Sequence, residues 1–104
     1  MTNVIKFGST HPLAGTWVAM DDDVDAEFTV VATGDSFTVT GRDQSDGEEF
    51  VISGVVWNGE ALRFSSLMPS TGHRVSHVFR LSPGKQTVEH EYTLLEIWKR
   101  KEPT

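Results

Sequence analysis

Turn-forming clusters break this chain at intervals of roughly 12 residues, a spacing that short strands leave between turns. They are Thr33-Gly34-Asp35, Ser45-Asp46-Gly47, Asn58-Gly59, Pro69-Ser70-Thr71-Gly72 and Ser82-Pro83-Gly84. Between them no window carries the 3.6-residue apolar period of a helix, and alternation of apolar and polar residues prevails. The chain is therefore expected to be all-β, with strands near 15–20, 26–32, 36–42, 48–57, 60–68, 73–82 and 86–99.

Hairpin registers test this reading, because directly opposed residues must share a face. A turn at Gly34-Asp35 pairs Ala32 with Phe37, Val30 with Val39 and Phe28 with Gly41 on one face, and Glu27 with Arg42 on the other. A loop over 69–72 pairs Met68 with His73, Ser66 with Val75, Phe64 with His77 and Leu62 with Phe79. A turn centred on Pro83-Gly84 pairs Phe79 with Val88, His77 with His90 and Val75 with Tyr92. Each hairpin gives one apolar and one polar face, the pattern of an antiparallel meander curled around a core. Asn58-Gly59 is expected to form a two-residue type I′ turn. That register leaves Phe50, Ile52 and Val56 outside. A β-bulge near Ser53-Gly54 returns Phe50 and Ile52 inward, and an apolar dimer stripe is the alternative. The expected product is an up-and-down barrel of seven to eight strands. The eighth comes from Val4-Ile5-Lys6-Phe7 or from a kink in the last strand.

The 104 residues suit one domain, with 1–14 as a leader and 101–104 as a flexible tail. There is no cysteine, which excludes disulfides and thiolate chemistry. The net charge of −6 argues against nucleic acid, which requires clustered Lys and Arg. No run approaches the ~20 apolar residues of a membrane-spanning helix, and MTNVIKFGST lacks the features of a signal peptide. A cytoplasmic protein with no membrane partner is expected. Acidic residues concentrate between Asp21 and Glu49, and the C-terminus carries Lys99-Arg100-Lys101.

With that architecture, His11-Pro-Leu-Ala-Gly-Thr-Trp17 resembles the start of a lipocalin or calycin barrel. There a Gly-x-Trp opens the first strand and the Trp plugs the closed end, roles that fall here to Gly15 and Trp17. The closing run from Phe79 to Lys101 is similar to the last hairpin of lipocalin-like barrels, the haem-binding nitrobindin group included. The resemblance implies a lumen that takes a small molecule. The short chain implies a small one, since eight strands enclose little more than side chains or one small ligand.

His77, His90 and Tyr92 are the sharpest candidate site, sharing the inner face with Phe64 beside them. They could be satisfied core residues, could orient a ligand by hydrogen bonds, or could hold a metal or haem or do acid–base chemistry. The sequence offers no third metal ligand beside them. Phe37, Trp57 and Trp98 are further candidates for the ligand wall, and aromatic residues equally fill cores. Asp21-Asp22-Asp23-Val24-Asp25 lacks the Gly and Glu of a calcium loop and reads as a solvated acidic loop. Placed at the open end, it would disfavour anionic ligands. Ser65, Ser66 and Ser76 lie near histidines, but no nucleophile elbow or phosphate loop is present, so an enzyme is not the leading reading. The expected function is binding of a small, largely apolar, neutral or cationic molecule in the lumen, with no resident cofactor expected. The alternatives are a solid-cored homodimerising interaction module and haem or metal binding through His77 or His90.

Overall fold

The computed structural model describes residues 11–82, 87–96 and 98–101. It is all-β, and none of the described residues is helical. The strands are β1 (Gly15–Val18), β2 (Ala26–Thr33), β3 (Ser36–Asp43), β4 (Val51–Trp57), β5 (Ala61–Met68), β6 (His73–Leu81) and β7 (Val88–Leu95). They form two antiparallel sheets, one in the order β1-β2-β3 and one in the order β4-β5-β6-β7. The sheets meet at one corner. There Asp43 N–H donates to the Glu48 carbonyl at 2.8 Å and Phe50 N–H to the Gly41 carbonyl at 2.9 Å.

Two hairpin registers are those expected. Val30 faces Val39 and Phe28 faces Gly41 in β2–β3; Phe64 faces His77 and Leu62 faces Phe79 in β5–β6. On the outer side of β2–β3, Arg42 Nε donates to Glu27 Oε1 at 2.8 Å. The alternating apolar residues converge on a core of Leu13, Phe28, Val30, Val39, Leu62, Phe64 and Phe79. Gly41 is required at its place. A Cβ there would lie 2.6 Å from Phe28 Cδ1 and 3.1 Å from Phe50 Cδ2, so both rings occupy its space.

β4 carries the expected bulge. The pairing shifts between Ser53 and Val56, so Gly54 and Val55 together oppose Phe64. Gly54 has φ 65°, a left-handed conformation that glycine adopts without steric cost. The bulge turns Phe50 and Ile52 onto the core and leaves Val51 and Val56 exposed.

Other expectations are corrected. The β4–β5 turn moves one residue on. Trp57 pairs with Leu62, and Asn58 N–H reaches the Ala61 carbonyl at 3.3 Å. Asn58 Oδ1 accepts from the N–H groups of both Glu60 and Ala61, which stabilises this longer closure. The β6–β7 register slides by two residues, so Phe79 faces His90 and His77 faces Tyr92. A two-residue slip preserves the faces. It also sets Arg80 opposite Glu89 and within reach of Glu91, to which Arg80 Nη1 donates. The seven strands do not close into a single sheet among the described residues: β1 and β7 are unpaired on their outer edges. β7 is one piece over Val88–Leu95, and among the described residues no kink in it supplies an eighth strand. Val4–Phe7 lies outside the described residues.

Candidate ligand-binding cleft

The open seam between β1 and β7 holds a cleft of about 420 Å³. Trp17, Val18 and Met20 line one side, with Val24, Ala26 and Phe28 behind them. Phe79, Thr87, Val88 and His90 line the other. Trp17 is directed here because it pairs with the inward Phe28, and its Nε1–H donates to the Leu13 carbonyl at 2.9 Å. The indole is thereby satisfied and presents its ring. Among the described residues no acidic or basic side chain other than His90 lines the cleft.

His90 is backed by a hydrogen-bonded line running into the core. Ser66 Oγ lies 2.7 Å from His77 Nε2, and His77 Nδ1 lies 2.8 Å from His90 Nε2. Ser66 and His77 are 6% and 5% exposed, whereas His90 opens on the cleft. The rings run nearly parallel: Phe64 lies against His77 at 4.7 Å between centroids, His77 and His90 meet edge to edge at 5.1 Å with their planes 16° apart, and His90 lies 5.4 Å from Tyr92. Phe28 and Phe79 meet the two imidazoles edge-on. His77 and His90 are thus in contact as expected. They meet diagonally across the strands rather than directly opposite, a reach that long side chains manage.

Burial lowers the pKa of His77 to about 4, and the neighbouring His90 adds to the shift. Burial also lowers that of His90. Both rings are therefore held neutral near neutral pH, each with one N–H and one bare nitrogen. The order Ser Oγ, imidazole, imidazole has the form of a hydrolase triad. Ser66 is buried and takes no part in the cleft wall, so it presents no nucleophile to a substrate there. The imidazole nitrogens that face each other are spent on each other. Among the described residues no group of three or more His, Asp or Glu is placed to hold a metal.

The remaining sequence candidates are dispersed. Tyr92 shares the inner face of its sheet, but it is 66% exposed because β7 is an edge strand. Phe37 and Trp57 pack with His11 at the β2–β3 and β4–β5 turns. Trp98 is 85% exposed beside Glu96, in a separate hollow with His73 and Arg74. Of the acidic loop only Val24 reaches the cleft wall, and its carboxylates do not. Asp21, Asp22 and Asp25 line a neighbouring hollow with Gln44 and Ser45. Asp43 beside it accepts from the hydroxyl and N–H of Ser45, which lowers its pKa. Sequence reasoning missed Val18, Met20 and Val24, whose only signal was that they are apolar residues at the end of β1 and within the acidic segment that follows it. It placed Ser66 on the inner face without its bond to His77.

Comparison of the chain with models of known families, with characterised proteins and with solved structures finds no match.

Proposed function

We propose that the protein binds a small, largely apolar molecule in the cleft between β1 and β7. In this reading the two sheets are a lipocalin-like barrel left open along one seam, and the cleft is the way into its lumen. The observation that carries it is the cleft wall itself. A largely apolar surface whose polar side chains are Thr87 and His90, the latter with its ring fixed by a buried partner, has the composition of a small-molecule site. Unliganded, that surface would leave Val18, Met20 and Val24 in water. The test is fluorescence titration with the neutral apolar probe N-phenylnaphthylamine. Saturable enhancement is expected, and Thr87→Trp, which fills the cleft from an exposed position, should abolish it. No saturable binding to the native protein would sink the proposal.

A second reading, homodimerisation, is favoured by β7, whose outer edge is unpaired among the described residues and whose Tyr92, Leu94 and Leu95 are exposed. No helix among the described residues is long and apolar enough to cross a membrane.

A further inference from the structure

His90 is the outer end of the line that begins at the Ser66 hydroxyl. Two proton arrangements pair the hydroxyl oxygen and the three facing nitrogens of that line. In one, Ser66 Oγ–H donates to His77 Nε2, His77 Nδ1–H donates to His90 Nε2, and His90 Nδ1 carries the remaining proton. In the other, His90 Nε2–H donates to His77 Nδ1, His77 Nε2–H donates to Ser66 Oγ, and His90 Nδ1 is bare. Neither leaves a nitrogen of the line unpaired, so His90 Nδ1 can present a donor or an acceptor; only the second leaves the buried Ser66 hydroxyl hydrogen without a partner along the line, so the donor form is favoured. Among the described residues no protein atom bonds to it. An ionised ligand group at this wall would lose its water and meet no counter-charge.

We propose that the cleft takes an uncharged, largely apolar ligand bearing one hydroxyl or carbonyl group. That group bonds to His90 Nδ1, and Ser66 and His77 act as positioning residues that set whether the nitrogen donates or accepts. The inference rests on the cleft being the ligand site. It adds the polar chemistry of the ligand and a role for two buried residues that do not touch it.

Ser66→Ala separates the two arrangements. It leaves His77 Nε2 facing a methyl group. An unpaired buried N–H is tolerated less well than an unpaired acceptor, so the proton moves to His77 Nδ1 and His90 Nδ1 becomes a fixed donor.

The experiment is displacement of N-phenylnaphthylamine by four compounds of similar shape. These are para-acetylbiphenyl, an acceptor only; phenylindole, a donor only; para-methylbiphenyl, which is neither; and biphenylcarboxylate, an anion. On the native protein, the ketone should compete at concentrations roughly three- to tenfold below the methyl compound, the worth of one hydrogen bond, and the indole should fall between the two, because the acceptor form of His90 leaves the Ser66 hydroxyl hydrogen unpaired. The carboxylate should compete worst. Ser66→Ala should keep the advantage of the ketone and lose that of the indole. His90→Phe should bind the probe and level the three neutral compounds. A flat neutral series on the native protein, a carboxylate that competes best, or a Ser66→Ala protein that still prefers the indole to the methyl compound would overturn the inference while the cleft reading stands. A probe that does not bind the native protein overturns both. The native series and His90→Phe decide the ligand class even if Ser66→Ala does not fold.

Discussion

His77 is a base kept away from protons. Apolar rings enclose it, and its folded pKa of about 4 lies below the ordinary 6.5. The folded protein therefore binds fewer protons than the unfolded chain between those values. The stability His77 contributes is complete above about pH 6.5 and is lost as the pH falls toward about 4. At 1.36 kcal/mol per unit, roughly 2 kcal/mol should disappear between neutral pH and about pH 5. Urea unfolding at the two pH values measures it. His77→Phe should flatten the dependence, and an equal slope in that variant would refute the assignment. Gly41 makes a second demand at this scale. In Gly41→Ala the new methyl meets Phe28 and Phe50, and overpacking of this kind costs about 1–3 kcal/mol. Denaturant midpoints would show it, and an unshifted midpoint would mean the two rings can move aside freely. The imidazole pair could be read from the sequence because both histidines fall on an apolar face. Their partner Ser66 could be placed on that face, but a bond depends on rotamers, which alternation does not encode. Phe37, Trp57 and Trp98 show the limit of composition: an aromatic residue signals burial or contact without saying where.

At the scale of the elements, short hairpins with matched apolar pairs were legible, and their turns explain why. The β2–β3 and β5–β6 registers follow from alternation alone. Asn58-Gly59 misled because the Asn58 side chain accepts two backbone N–H groups and closes a different loop. The β6–β7 hairpin slid by two residues, which keeps every side chain on its face and sets Arg80 beside Glu89 and Glu91, so alternation alone does not distinguish the two registers. The bulge was legible because Ser53-Gly54 interrupts an apolar run that would otherwise face water. β7 also poses a question of its own. An edge that is unpaired among the described residues and exposes Leu94 at 43% and Tyr92 at 66% is a template for another strand. If copies pair through it, sedimentation should show a concentration-dependent dimer that Leu94→Lys removes. A monomer at all concentrations dismisses that pairing.

Across the whole molecule, the end bearing the β3–β4 and β5–β6 loops is tied together. Glu48 accepts from both the N–H and the hydroxyl of Ser70, at 2.8 and 2.7 Å. The seam between β1 and β7 has no such tie among the described residues. The closure expected from strand parity depended on residues 4–7, so the sequence could require a closing partner without showing it in place. The split arrangement has a kinetic consequence. Amide hydrogens of β5 and β6, each flanked by strands on both sides, should exchange with deuterium slowly, and those of β1 and β7 quickly, because edge strands open without unfolding the rest. A molecule held across the seam would touch both edges at once. Exchange should then slow together in two segments separated by most of the chain, so that the termini respond as one unit. If only one edge slows, the occupant rests on a single sheet and the seam remains a gap.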